Sequence, residues 1–249
     1  DLSHRFLLGG LPPFFLSESL PEKEFQEWMD SYWAKDIQEL VRLEKKASFQ
    51  KFAELLFAQS GGIFEASKFA RPCEISQPTV ANYLRVLEST LVAQVIKPFS
   101  FHPATEIISA PKVYAFDTGF VCYHRGWFQL RSDDIGILWE HYVLNEINAK
   151  IPSASIRYWR DKQGHEIDFV IFIGRSKKPI VIECKWKNKD IDTKNIIRFR
   201  EKYSDGNNYI VCNDISRNYT RKENNIIIEF VSLNKLIVSL LARIFHEIS

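Results

Sequence analysis

His165–Trp186 reads HEIDFVIFIGRSKKPIVIECKW, two apolar runs of strand length separated by six residues. Period-two alternation puts Glu166, Asp168, Val170 and Phe172 on one face of the first strand, and Val181, Glu183 and Lys185 on one face of the second. Each ribbon thus carries charge on an otherwise apolar face. That is costly in a core and reasonable at a site.

The preceding segment, Gly136 to Lys150, has helical spacing: Ile137, Trp139, Val143, Leu144 and Ile147 form a broad apolar stripe with Glu140 in its middle, while His141, Asn145 and Asn148 lie opposite. A carboxylate at the centre of a buried face needs a partner. An ion pair between Glu140 and Lys185 holding helix to sheet is the structural alternative. One lysine cannot neutralise Glu140, Asp168 and Glu183 together, whereas a divalent cation could.

Asp168, the Glu183-Cys184-Lys185 triplet and the upstream Glu140 resemble the D, E-x-K and helix-Glu pattern of the PD-(D/E)XK nuclease superfamily. GILWEHYVLNEI from Gly136, YWRDKQGHEIDFVI from Tyr158 and IVIECKW from Ile180 are similar to the C-terminal region of a group of prokaryotic AAA-type ATPases, in which a winged helix precedes a nuclease-like fold. LLGGLPPFFL near the start and SQPTVANYLRVLESTLVAQVIKPF from Ser76 extend the likeness over nearly the whole chain. It implies an ATPase module ahead of Asp1; the chain has no G-x-x-x-x-G-K-[ST] phosphate loop, so any ATP would belong to that module and no ATPase activity is expected of this chain alone. It also implies a magnesium (or manganese) ion on Asp168, Glu183 and, directly or through water, Glu140, with the Cys184 carbonyl completing the shell.

With 249 residues, 45% hydrophobic and 14% aromatic, the chain can build real cores. No run of 18 uncharged apolar residues and no signal peptide is present, which leads to the expectation of a cytoplasmic protein with no membrane association. Cys73, Cys122, Cys184 and Cys212 are scattered without a C-x-x-C pair, a pattern of packing residues rather than of disulfides or zinc. Net charge is only +2, yet Lys150 to Lys202 holds 14 basic and 7 acidic residues, so the stretch with the carboxylates is also the most positive. A basic field around a metal site suits a polyanion; a solvated charged surface is the plainer alternative.

The expected fold class is α/β, α+β overall, in three parts. Residues 1–47 form a helical linker, with one amphipathic helix from Pro21 to Lys46. Residues 48–130 form a winged helix-turn-helix: helices Ser48 to Gln59, Ala66 to Pro72 and Gln77 to Ser89, the last with Ser76 as N-cap and Pro78 in its first turn, then wing strands Leu91 to Pro98 and Val113 to Phe116 joined by a loop around His102 to Ser109. Val80, Leu84 and Leu87 face inward on the third helix. Gln77, Thr79, Asn82 and Arg85 are left to touch phosphates and base edges. Residues 131–249 form the restriction-endonuclease-like domain: the helix, strands Ser155 to Trp159, His165 to Ile173 and Ile180 to Trp186, helix Thr193 to Tyr203, strands Tyr209 to Cys212 and Ile226 to Phe230, and a last helix from Leu233.

In this reading Lys185 orients the attacking water or stabilises charge on phosphorus, Arg160 clamps a phosphate, a surface ion pair being its alternative, and Lys187 adds a phosphate contact. Glu166 assists or sits at a solvated strand end, and His141 and His165 are surface residues. Three function classes follow: a metal-dependent DNA endonuclease, a non-cleaving DNA- or protein-binding module regulating the ATPase, and a tail that only positions the ATPase. Intact Asp168, Glu183 and Lys185 favour the first.

Overall fold

Two units divide the chain, one of Asp1–Val95 and Ala110–Arg131, the other of Ile96–Ser109 and Ser132–Ser249, in a computed structural model that describes residues 1–37, 46–101, 110–174 and 178–248. The fold is mixed α+β. Among the described residues no helix is long and apolar enough to cross a membrane. The four cysteines are free and buried.

The first unit contains α1 (Leu2–Leu8), α2 (Pro12–Phe15), α3 (Glu22–Tyr32) with a π-helical turn Trp33–Ile37, α4 (Lys46–Ala58), β1 (Gly62–Ile63), α5 (Ala66–Ala70), α6 (Gln77–Ser89), β2 (Ala93–Ile96, its last residue in the second unit), β3 (Lys112–Ala115) and α7 (Thr118–Arg125). The strands lie in the order β1-β3-β2. Ser76 caps α6 by accepting from the Thr79 N–H at 3.3 Å. The expected helix from Pro21 to Lys46 is α3 and its π turn as far as Ile37; residues 38–45, like the expected loop from His102 to Ser109, lie outside the described residues.

Helix α7 has no counterpart in the sequence reading. Its N-cap, buried Asp117, accepts from the N–H groups of Gly119 at 2.8 Å and Gly10 at 2.7 Å, with Arg5 at 3.6 Å. Phe25 of α3 packs on Phe120 of α7 and Phe14 of α2, with ring centroids 4.8 and 4.5 Å apart. Helices α2 and α3 therefore share a core with α7 within the first unit.

The second unit begins with α8 (Ser132–Lys150) and holds β4 (Ser155–Arg160), β5 (Glu166–Phe172), β6 (Ile180–Lys185), α9 (Lys194–Lys202), β7 (Asn208–Cys212), β8 (Tyr219–Glu223), β9 (Ile226–Val231) and α10 (Leu233–Ile248). Its six strands run β4-β5-β6-β7-β9-β8; β6, β7 and β9 are parallel neighbours and the other pairings antiparallel. Ile196 and Phe199 of α9 pack with Val170, Val181, Ile210, Ile228 and Phe230. Helix α8 packs on β6 and α10 on β7, and the two helices contact each other. Strand β8, absent from the sequence reading, is a mostly charged edge strand (YTRKE), a composition that hinders edge-to-edge pairing and hides a strand from hydrophobic periodicity.

Candidate functional site

Between β4 and β5 the register slips: two steps along β4, from Arg157 to Trp159, face three along β5, from Val170 to Ile167. The extra residue of this bulge falls at Asp168–Phe169. Bulges interrupt alternation and re-aim side chains. Ile167 accordingly joins Val170 and Val181 in one apolar cluster, so the face expected to run unbroken from Glu166 to Phe172 is broken here. Glu166 instead pairs with Arg160 at 3.8 Å.

The β5–β6 ladder, Val170↔Val181 and Phe169↔Ile182, brings Asp168 beside Glu183 one step further on. There Asp168 Oδ2 accepts the Cys184 backbone N–H at 2.7 Å. Glu183 is 3% exposed. Its Oε2 accepts from Lys185 Nζ at 2.9 Å, while Oε1 is buried with no hydrogen-bond partner among the described residues. An orphaned polar atom of this kind costs about 1–3 kcal/mol.

Helix α8 is fixed from behind. The Trp139 indole N–H donates to the Val211 carbonyl at 3.1 Å, and its ring meets Trp186 edge-on at 5.8 Å. The buried stripe includes Leu138, Trp139, Val143, Leu144 and Ile147 but is turned relative to the expected one: Asp134, Leu138 and His141, at i, i+4 and i+7, are buried, and Ile137 is exposed. His141, at 1% exposure, is therefore no surface residue. Glu140 is half-buried at the stripe's edge.

Electrostatics tie these groups together. Burial first, then the Asp168 charge, pushes the Glu183 carboxyl up to about 8; Lys185 opposes this and Glu140 adds to it. Burial lowers the Lys185 pKa, but Glu183 and Asp168 outweigh that and carry it above the ordinary lysine range. The two directions compete, since a protonated Glu183 cannot hold Lys185 up. Lys185 stays charged between Glu183 and Asp168, and its single charge does not fully offset the burial of Glu183 beside a second carboxylate. The Cys184 thiol is raised by burial and by the same carboxylates, which keeps it protonated.

The donor set fits a hard divalent ion. Glu183 Oε1 is an unsatisfied buried oxygen, and Asp168 and Glu140 add oxygens of the class magnesium prefers. Among the described residues no three His, Cys, Asp or Glu side chains already converge as a metal cage. Magnesium retains several waters, so one or two carboxylates suffice for it.

Arg160 and Lys187 are exposed at strand ends of this unit. Lys187 lines a pocket of about 310 Å³ with Lys185, Trp186, Lys189, Asp192 and Asn195. Lys189 and Asn195 were missed by sequence reading, although the alternating lysines of KWKNK pointed to the first. His165 is half-exposed and held by Asp161 at 2.8 Å. In the first unit, Gln77, Asn82 and Arg85 are exposed on α6 and Thr79 is half-buried with its hydroxyl 2.8 Å from that of Ser76; Val80, Leu84 and Leu87 are buried.

Residues 135–235, which include the carboxylate cluster, match Domain of unknown function (DUF4143). The uncharacterized proteins Rv2008c of Mycobacterium tuberculosis and Mb2031c of Mycobacterium bovis are each 27% identical to the chain over 188 residues, which is 72% of this chain. The chain's match spans 42% of the length of each of these relatives. Residues 1–131, more than half of the chain, match Domain of unknown function (DUF8612), and the chain belongs to that family.

Proposed function

We propose that the second unit is a metal-dependent nucleic-acid phosphodiesterase of the PD-(D/E)XK type, acting on DNA as the C-terminal part of an AAA-type ATP-binding protein, with a winged helix-turn-helix in the first unit. The observation that carries this is the unpartnered, buried Oε1 of Glu183 beside Asp168. Asp168 and Glu183 would hold magnesium or manganese, with Glu140 direct or through water and the Cys184 carbonyl as a further donor. The ion would supply Lewis acidity to the scissile phosphate and a more acidic water.

The chain's own residues do the rest. Asp168 is oriented by the Cys184 N–H. Lys185, half-exposed where Glu183 is sealed, keeps one face toward solvent and places a fixed positive charge where negative charge grows on the phosphate. Trp139 anchors α8 and so sets the reach of Glu140. Arg160 and Lys187 would contact flanking phosphates.

Calorimetric titration of the chain with magnesium and with manganese tests the reading. Binding heat in the wild type that vanishes in Asp168→Asn is expected; no heat with either ion would refute it. The Lys185–Glu183 pair and the absence of a preformed three-residue cage among the described residues favour one other reading, a non-cleaving DNA- or protein-binding module. It would bind nucleic acid or a partner protein without metal-dependent cleavage.

A further inference from the structure

A groove of about 800 Å³ in the second unit is lined by Pro98, Tyr158 and Trp159 at the β4 edge, the β4–β5 turn from Arg160 to Gln163, and Arg198, Glu201 and Lys202 of α9. We propose that this groove holds the phosphate backbone of duplex DNA and leads it to the carboxylate cluster, an inference that rests on the function proposed above.

Position is the first argument. Strand β4 is the sheet edge and pairs directly with β5, and Arg160, at the groove's end, lies opposite Glu166, two residues before Asp168. Charge is the second. The lining carries Arg160, Lys162, Arg198 and Lys202 against Asp161 and Glu201, and both acids are already engaged by Arg198, at 3.6 and 2.7 Å. Lys162 and Lys202 meet no carboxylate among the described residues; Lys202 lies over the Tyr203 ring at 5.3 Å. The unspent charge of the groove is therefore positive.

Preorganisation is the third. Asp161 Oδ1 accepts the N–H groups of Gln163 at 2.9 Å and His165 at 3.0 Å, and its Oδ2 lies 2.8 Å from His165 Nδ1, so the turn bearing Arg160 and Lys162 is built before any ligand arrives. The aromatic floor offers no stacking platform. Tyr158 and Trp159 are buried, leaving no exposed ring of the lining for an unpaired base to stack on, so the groove suits the phosphates of a duplex better than a single strand.

The test is fluorescence anisotropy of a labelled 30-base-pair duplex with the full chain, in EDTA, across a salt series, comparing wild type with Lys162→Glu/Lys202→Glu and with the equal-charge control Lys51→Glu/Lys235→Glu outside the groove. The groove pair should weaken binding at least ~10-fold and flatten the slope of log affinity against log salt by about 1.8, two phosphate contacts. The control should do neither, and calorimetric metal binding should persist in both variants. The proposal is overturned if the groove pair matches wild type, if both pairs lose affinity equally, if the wild type binds no duplex at low salt, or if it prefers RNA of the same sequence. Loss of metal binding with the DNA result intact would sink the nuclease reading and leave the groove standing.

Discussion

The Cys184 backbone N–H donates to Asp168 Oδ2 across 2.7 Å, at the point where the β5–β6 ladder stops. A carboxylate thus replaces the ladder bond that a strand carbonyl would have supplied, and it does so beside a bulge that frees Asp168 from the regular pleat. The fold spends regular pairing to hold one acid next to another.

Asp168→Asn keeps an amide oxygen for that N–H and removes one negative charge from the neighbourhood of Glu183. The apo protein should melt within a few degrees of wild type, because a shape-conserving change at a satisfied site costs little. Its melting temperature should no longer rise with magnesium, whereas that of wild type should rise with ligand concentration over Kd. Differential scanning calorimetry with and without 10 mM magnesium decides the point, and an undiminished metal response in the variant would exclude Asp168 as a ligand.

Where charge interrupts apolar alternation, the neighbourhood was readable from the chain: Glu183 and Lys185, two apart on β6, are bonded as a period of two requires, and β5 brings Asp168 beside them. The bulge was not readable, because a one-residue slip is set by pairing with β4 and leaves no local composition mark. The turn of the α8 stripe failed for a related reason. Hydrophobicity ranks Ile137 above His141, but burial of a polar side chain is decided by partners in the fold. Strand β8 escaped notice since a mostly charged edge strand has the composition of a loop.

His124 of α7 supplies a pH dependence in the first unit. Its Nε2 is buried with no hydrogen-bond partner among the described residues, beside Phe57 at 5.4 Å, and burial holds its pKa down at about 4. A depressed histidine pKa means the unfolded chain takes up the proton first. The stability of neutral His124 is complete above about 6.5 and is lost as pH falls toward 4, by about 3 kcal/mol at most. Urea unfolding at pH 7.5 and pH 4.5 should show a smaller drop for His124→Phe than for wild type; equal drops would mean that His124 titrates normally.

Arg200 is a buried cation that, among the described residues, bonds no carboxylate. Its guanidinium donates to Asn208 Oδ1 at 2.6 Å and to the carbonyls of Pro179, Tyr203, Asp205 and Asn207, tying the end of α9 to the start of β6 and β7. Gly206, at φ +110°, passes so close that a Cβ would lie 2.0 Å from the Pro179 carbonyl oxygen. Arg200→Lys keeps a charge but cannot span these acceptors, and should cost about 2–4 kcal/mol by chemical denaturation. A loss under about 0.5 kcal/mol would show that the network is replaceable.

Lys185 separates chemistry from structure most sharply. It is 37% exposed and its bonded partner is Glu183, so removing it strands an acid that burial already pushes toward its neutral form. Glu183 would then take up a proton, which limits the loss on Lys185→Ala to about 1–3 kcal/mol, below the cost of breaking a fully buried pair. Magnesium should restore much of that stability by supplying the missing positive charge. Lys185→Arg should retain stability through its own cation while presenting a differently shaped, less mobile donor. If Lys185 serves the reaction, both variants lose cleavage of supercoiled DNA by about 100-fold or more while still binding metal. If it serves only the fold, Lys185→Arg cleaves like wild type and Lys185→Ala recovers in magnesium. A well-folded Lys185→Ala protein that still cleaves DNA with metal would remove lysine from the mechanism and leave the carboxylates and the ion to act alone.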